Sequence, residues 1–251
     1  SIEKIDAIVK FKYIFFVILI IKKFRFEFMK KILLIFFLTT IFSCEKKSED
    51  KEWIYLFSDE YSSNWKAYNG NTLPKKWKIT NNTLKFNTEL KLESQYTKGT
   101  DIIFSKEEFS NFELHIEWKL PKGGNSGIFY HLKEGFEETS EIAPEYQLLD
   151  DEGWEELNND KLSPWQKAGA NYAMYSPNTD VKNLYPSGEW NSTKIIFTEK
   201  KVEYWLNEQK ILTFVPWSKD WYERKNSGKW KNSKSYGKYK KGYIGLQDHN
   251  S

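Results

Sequence analysis

The sequence predicts an all-β protein, a two-sheet β-sandwich whose globular part begins near residue 52. Three observations carry this prediction. Beyond residue 51, short runs of alternating apolar and polar residues, separated by Gly, Asn and Pro, recur at intervals of about ten residues. No stretch with helical periodicity exceeds about ten residues. Phe, Trp and Tyr, which suit a pleated and half-buried surface, make up 18% of the chain, with 11 Trp among them. So many broad rings in a hydrophilic chain also fit sugar binding, because the C–H faces of pyranose rings pack on aromatic faces; the alternative is that the rings serve only as strand residues.

The first part of the chain reads as targeting sequence. From Met29 it runs Met-Lys-Lys, an apolar stretch from Ile32 to Phe42, then Ser43 and Cys44. A basic start and a short apolar core fit a bacterial secretion signal, and the core is too short for a comfortable transmembrane helix. Ile41-Phe42-Ser43-Cys44 resembles the lipobox of bacterial lipoproteins, so residues 29–44 are expected to be a signal peptide and Cys44 the lipidated first residue of the mature protein. Residues 45–51 are charged, without apolar periodicity, and are expected to form a flexible tether. Residues 1–28 begin without methionine and are read as upstream read-through, with a second hydrophobic helix as the alternative. The expected location is the bacterial cell envelope, periplasmic or at the cell surface, with membrane contact through the lipid only. Cys44 is the single cysteine, which rules out an internal disulfide and a cysteine-based zinc site.

The formal net charge of +3 belongs to this leader. Residues 1–44 hold eight Lys/Arg against three Asp/Glu, so the 30 basic and 32 acidic residues that remain net to −2. That balance gives no reason to expect a nucleic-acid partner. Residues 52–251 suit one domain with a sizeable core.

Within that domain, strands are expected at Thr83–Phe86, Asp101–Ser105, Phe112–Leu120, Gly127–Leu132, Glu145–Asp150, Thr193–Thr198, Val202–Leu206, Lys210–Phe214 and Gly242–Gln247. In the third, Phe112, Leu114, Ile116 and Trp118 share one face, and Glu113, His115 and Glu117 the other, which makes His115 a solvated strand residue. Val202–Leu206 and Lys210–Phe214 flank Asn207-Glu208 and read as a hairpin; Glu208 stands where glycine is usual, so the turn is expected to be strained or longer. Trp217–Lys241 shows little alternation and is expected to be a long loop, with a helical turn around Ser218–Arg224.

Three segments carry polar residues on strand faces that could line a concavity. In Gly123–His131, glycines allow close backbone approach, and Gly127, Phe129 and His131 are expected on one face. In Pro144–Asp151, Glu145 and Gln147 share a face, spaced for adjacent sugar hydroxyls. In Gly242–His249, Ile244 and Leu246 point inward while Gln247 and His249 project together. If these faces converge, Glu145, His131 and His249 form an acid/base set, with Gln147, Gln247 and Asn125 as hydrogen-bonding neighbours.

Asn125-Ser126-Gly127-Ile128-Phe129-Tyr130, Pro144-Glu145-Tyr146-Gln147-Leu148-Leu149-Asp150, Gly188-Glu189-Trp190-Asn191 and Gly245-Leu246-Gln247-Asp248-His249 resemble the signature blocks of the DUF1080 family, also called 3-keto-disaccharide hydrolase. The likeness runs from about residue 52, through Leu56-Phe57 and Asn64-Trp65-Lys66, to the end. It implies a concanavalin A-like jelly roll and a carbohydrate substrate, with Asp150 and Trp190 joining Asn125, Gln147 and Gln247 as substrate-binding residues. Ser58-Asp59-Glu60 stands where the family usually shows Asp-Gly-Lys, a difference confined to a turn. Family members usually continue for one more strand beyond the position of Ser251, so the jelly roll is expected to lack its last strand in this sequence.

The implied chemistry starts from a ketone at C3 of a sugar, which acidifies the C2 proton. A base, His249 or Glu145, removes it; the C1 substituent leaves with help from His131 or Glu145; water addition completes a net hydrolysis. No NAD-binding glycine pattern is present and no cofactor is expected, while a divalent metal held by Glu145 and His249 stays open. Two alternatives remain. A conventional glycoside hydrolase on this fold needs paired carboxylates, yet the Glu-x-Asp-x-x-Glu pattern of jelly-roll endoglucanases is missing, with Gln147 in its middle position. A non-catalytic carbohydrate-binding module would need only surface aromatics.

Overall fold

Residues 53–87 and 100–249 are described in a computed structural model of the chain. The expectations for residues 1–51, the signal segment and Cys44 included, lie outside the described residues.

Eleven strands are seen among them: β1 (Trp65–Ala67), β2 (Trp77–Thr80), β3 (Thr83–Phe86), β4 (Ile102–Phe109), β5 (Phe112–Trp118), β6 (Asn125–Leu132), β7 (Glu145–Leu149), β8 (Asn191–Thr198), β9 (Lys201–Leu206), β10 (Gln209–Phe214) and β11 (Gly242–Leu246). They form a five-stranded sheet in the order β1-β4-β11-β6-β7, a four-stranded sheet in the order β10-β9-β8-β5, and the small hairpin β2-β3. Every pairing is antiparallel, and the two large sheets make a jelly-roll sandwich. Each expected strand is present to within a few residues. β5 keeps the expected alternation, with Leu114 and Trp118 buried while Glu113, His115 and Glu117 are exposed; His115 pairs with Glu113 at 2.8 Å.

Between the sheets the interior is aromatic. Trp65, Phe104, Tyr130, Tyr146, Phe197 and Tyr204 are buried there. Their polar atoms have partners: Tyr130 and Tyr204 share a 2.6 Å hydroxyl contact, Trp65 Nε1 donates to the Leu56 carbonyl at 2.8 Å, and Trp118 Nε1 donates to Thr193 Oγ1 at 2.9 Å. Rings of this size are tolerated in a core because these bonds offset desolvation.

The hairpin of β9 and β10 is tight. Asn207 and Glu208 both take positive φ, 45° and 65°, and Leu206 pairs directly with Gln209. The turn is therefore strained and not lengthened. Asn207 secures it, accepting the Ser192 N–H at 2.7 Å and donating to the Asn183 carbonyl at 2.8 Å. The loop Trp217–Lys241 contains helix α2 (Lys219–Ser227), capped by Ser218 Oγ, which accepts from Trp221 N at 3.2 Å. Helix α1 (Asp151–Asn158) was not anticipated; acids in its first turn favour its N-terminus, and Asn159 closes it in the left-handed conformation, φ 50°.

His131 breaks the expected alternation. Against β11, Tyr243 pairs with Leu132 and Gly245 with Phe129, so three steps along β6 oppose two along β11. The extra residue forms a bulge, with His131 at φ 56°. Gly242 lies against it so closely that a Cβ there would sit 2.3 Å from the His131 carbonyl carbon. The bulge turns the ring to the same side as Tyr130, 4.3 Å from the Phe197 ring and parallel to Trp217 at 6.3 Å. Nε2 donates to the Ser110 carbonyl at 2.8 Å. The parity expected for Gly127, Phe129 and His131 is thus corrected: His131 belongs to the interior. Burial depresses its pKa to about 4, with the Ser110 bond opposing, so the ring is neutral at pH 7.

His131→Ala should destabilise the fold by about 2–4 kcal/mol, the range for opening a gap in an aromatic core, measured by urea denaturation at pH 7. Because the folded pKa lies below that of the unfolded chain, the stability from His131 is fully present above about pH 6.5 and falls by up to about 3 kcal/mol toward pH 4. A variant with the parent's stability and pH dependence would show that the ring is not held this way.

Candidate active site

The register of β6 and β7 builds one side of the site. Asn125 opposes Leu149, Gly127 opposes Gln147, and Phe129 opposes Glu145. Ile128, Tyr146 and Leu148 face the interior, so Asn125, Gly127, Glu145 and Gln147 share the outer face of the five-stranded sheet. β11 contributes by the same alternation: Ile244 and Leu246 are interior, and Gln247 follows Gly245 outward. The Gln247 N–H donates to the Gly127 carbonyl at 2.9 Å, and Ser126 Oγ donates to the Gln247 carbonyl at 2.9 Å. Gln147 Nε2 donates to Asn125 Oδ1 at 2.9 Å. Asp101, just before β4, joins this face next to the small cluster of Ile103, Phe129, Leu132 and Ala143.

The free edge of β7 is covered by the segment after α1. Gly169 N–H donates to the Gln147 carbonyl, the Ala170 carbonyl accepts from Gln147 N–H, and Tyr172 N–H donates to the Glu145 carbonyl, at 2.9, 3.0 and 3.0 Å. This pairing brings Asn171 and Tyr172 beside Glu145. A single 3₁₀ turn at Lys229–Asn232 closes over them: Trp230 Nε1 donates to the Tyr172 carbonyl at 3.2 Å, and Lys229 Nζ donates to the Tyr172 hydroxyl at 3.3 Å while lying 4.4 Å from that ring. Tyr236 donates to Asn171 Oδ1 at 3.4 Å.

Glu145 is the central group. It is 4% exposed, and its Oε1 has no hydrogen-bond partner. The carboxyl lies over Gly127, where an added Cβ would fall 2.1 Å from Oε1. Burial pushes its pKa up to about 8, the Asp101 charge adds to this, and Lys229 opposes it. Glu145 therefore carries a proton at pH 7. His249 follows Asp248; desolvation pulls its imidazole below the usual value, with Lys229 adding and Asp248 opposing, although much of the residue faces solvent. An acid that holds its proton and an imidazole that lacks one are an acid/base pair ready for proton transfer at neutral pH.

Of the residues singled out in the sequence, Glu145, Gln147, Asn125 and Gln247 come together; His249 lies two residues beyond Gln247, and the Lys229 charge lowers both it and Glu145. Three do not join them. His131 lies in the interior, as described above. Asp150 secures the turn before β6: Oδ2 accepts the Gly123 N–H at 2.9 Å, and a Cβ on Gly153 would fall 2.0 Å from that oxygen. Trp190 immediately precedes β8 in the other sheet, 51% exposed, with the Lys119 ammonium 5.0 Å from its ring centre. Asp101, Asn171, Tyr172, Lys229 and Trp230 were not anticipated; Asp101 opens the expected strand Asp101–Ser105 but was assigned no role, and the other four lie outside alternating runs, where parity gives no signal. Among the described residues, no group of three or more His, Cys, Asp or Glu is arranged to hold a metal ion.

Residues 52–251 match the family described as the 3-keto-alpha-glucoside-1,2-lyase-like domain. Similar proteins include a 3-keto-disaccharide hydrolase of Bacteroides thetaiotaomicron, 33% identical over 218 residues that cover 78% of this chain and 73% of the relative. Among solved structures, a candidate glycosyl hydrolase of Parabacteroides distasonis aligns with a TM-score of 0.65 and 36% identity, over 75% of this chain and 83% of that one.

Two outcomes follow from the environment of Glu145. Its folded pKa lies above that of the unfolded chain, so its contribution to stability is full below about pH 4.5 and is lost as pH rises through 8, a loss of roughly 3 kcal/mol at pH 7. Glu145→Gln should match the parent in urea denaturation at pH 4.5 and exceed it increasingly toward pH 8; a gap that does not widen would mean the carboxyl is not held neutral. Gly127→Ala should displace the Glu145 side chain, lowering turnover by about 10²-fold through misplacement of the acid while changing stability by no more than about 1–3 kcal/mol. Unchanged turnover would show that the contact is dispensable.

Proposed function

The chain belongs to the 3-keto-alpha-glucoside-1,2-lyase-like family and is a glycosidic-bond-cleaving enzyme, and we propose that it cleaves 3-keto-glycosides, 3-keto-disaccharides among them, by elimination followed by hydration. The observation that carries this reading is the buried, protonated Glu145 on the same sheet face as Gln147, Asn125 and Gln247.

His249, neutral at pH 7, removes the C2 proton, which the neighbouring C3 ketone makes acidic. The electron pair moves into the C1–C2 bond as the C1–O bond breaks, and Glu145 gives its proton to the departing oxygen. The products of this half are the free alcohol and a sugar with a C1–C2 double bond conjugated to the ketone. In the second half, carboxylate Glu145 takes a proton from water, hydroxide adds at C1, and protonated His249 returns its proton to C2. The sum is hydrolysis, and both side chains recover their starting states. Gln147, Asn125 and Gln247 supply neutral amides that suit sugar hydroxyls. His131 takes no part in this scheme, so Glu145 alone assists the leaving oxygen. The leader pattern from Met29 to Cys44 supports placing the enzyme in the bacterial cell envelope, held by a lipid on Cys44.

The test offers matched 3-keto and unoxidised disaccharides to the folded domain, with and without chelator. Cleavage should occur with the 3-keto sugar alone, and Glu145→Gln and His249→Ala should each lower kcat by about 10²–10⁴-fold, the usual worth of a positioned acid or base. Cleavage of the unoxidised sugar alone, or full turnover in both variants, would overturn the reading.

A further inference from the structure

Asp101 takes part in neither proton transfer described above, yet both of its oxygens accept hydrogen bonds from other segments of the chain. Its Oδ1 accepts the Asp248 N–H at 2.8 Å, and its Oδ2 accepts the Thr139 hydroxyl. Asp248 answers in kind, its Oδ2 accepting the Thr100 N–H at 2.9 Å. Two chain segments are thereby crossed: the entry to β4 holds the exit of β11, and the exit of β11 holds the entry to β4. Asp248 and Thr139 are both buried, at 7% and 5% exposure, so these bonds are shielded from competition by water.

What the clamp holds is the backbone on either side of the site. His249 is the next residue after Asp248 and has passed the last ladder pair of β11, which is Leu246 with Ile102 and Ile128. Beyond that pair, the Gln247 N–H bond to Gly127, the Ser126 Oγ bond to the Gln247 carbonyl and the Asp248 N–H bond to Asp101 help to fix its course. The Thr139 turn, at Thr139–Glu141, leads into the segment before Glu145. We propose that Asp101 is a positioning residue for this reaction, tying the backbone that carries His249 to the Thr139 turn on the sheet face that holds Glu145. The inference rests on the acid/base reading of Glu145 and His249.

Electrostatics supports the same assignment. Asp101 is itself raised to about 6, by burial first, with Thr139 and the Asp248 N–H opposing and the Asp248 and Glu138 charges adding. It is thus mostly ionised at pH 7, and its charge helps to keep the proton on Glu145. The other charged or titratable groups around the pair are Lys229, which opposes that effect on Glu145, Tyr236, which senses the Glu145 charge, and Tyr68, which senses Asp101. Both Asp101 oxygens accept hydrogen bonds that hold the fold, and it acts through Glu145 and His249.

Asp101→Asn and Asp101→Ala separate the two effects. Asparagine can still accept from Asp248 N–H and donate to Thr139 Oγ1, but it carries no charge. It should keep kcat at pH 6 within about threefold and move the alkaline limb of the kcat/KM profile, set by the Glu145 proton, down by up to about one pH unit. Alanine removes the clamp and should lower kcat by about 10–100-fold with KM changed less than threefold. Two NMR readouts need no turnover: the Glu145 carboxyl should titrate lower in Asp101→Asn, and the Asp248 amide should exchange faster with solvent in Asp101→Ala. If the alanine variant does not fold, Thr139→Val, which leaves the Asp248 bond and removes the hydroxyl, should give a smaller fall in kcat than tenfold with faster Asp248 exchange. A parent-like Glu145 titration and parent-like Asp248 exchange would overturn the inference even in an active enzyme. A parent enzyme that leaves 3-keto-glycosides intact would overturn instead the reading on which it rests.

Discussion

A carboxyl group laid over a glycine, with no donor for one of its oxygens, sets the terms for the rest of the structure. Glu145 occupies the space where Gly127 has no side chain, and that space exists only because the β6–β7 register places Gly127 and Gln147 as neighbours with Glu145 two pairs beyond, on the same face. A slip of one residue would pair Ile128 with Glu145 or Gln147, and so either carry Ile128 to the outer face or send Glu145 into the aromatic interior. The interior side of the same strands prevents it: Ile128, Tyr130, Tyr146 and Leu148 all need the other parity. The site is thus registered by the core on the opposite side of the sheet. Covering the β7 edge with residues 169–172 then removes water from Glu145 and supplies Tyr172 in one step.

The two faces of this sheet follow different rules. Inside, large aromatic residues bury their polar atoms in matched pairs, as Tyr130 does with Tyr204, and stability is the result. Outside, Glu145 Oε1 and Gln247 Oε1 are buried without partners, each a destabilising feature by ordinary standards. Such features persist where function requires them and the remaining fold offsets them. His131 marks the boundary between the two regimes, since a one-residue bulge transfers a polar ring from the functional face to the structural one.

Strand parity explains both what the sequence revealed and what it concealed. Phe112–Trp118 and Glu145–Leu149 alternate without interruption, so the facing of Glu113, His115, Glu145 and Gln147 could be read from spacing alone. Asn125 and Gln247 followed in the same way. His131 could not be placed, because a bulge changes parity without any residue signature of its own; the partner that accommodates it, Gly242, lies more than a hundred residues away in the chain and reads simply as the start of a strand. Tyr172 and Lys229 were hidden for a different reason, each sitting in a turn or loop whose position is fixed by tertiary hydrogen bonds, while Asp101, at the head of an expected strand, shows its role only through its bonds to Thr139 and Asp248. α1 was hidden because its eight residues show no long apolar period, although its acidic start and Asn159 at its end are the signals that bound it.

One physical effect prepares both halves of the acid/base pair. Loss of hydration disfavours charge of either sign, so full burial raises the Glu145 carboxyl while partial desolvation of the more exposed His249 lowers its imidazole. Glu145 and His249 are both displaced in the directions this requires. Neighbouring charges then act unequally: Lys229 lowers both groups, Asp101 raises Glu145, and Asp248 raises His249. Each reacting group thus has an anionic partner that opposes the pull of Lys229, and those two anions are joined to each other through the Asp248 N–H. With acid and base both neutral at rest, the standing charges around them include those of Lys229 and of Asp101, whose oxygens already accept hydrogen bonds within the fold. Charge develops on the two reacting groups when the C2 proton moves, and Lys229 is a nearby cation that both sense.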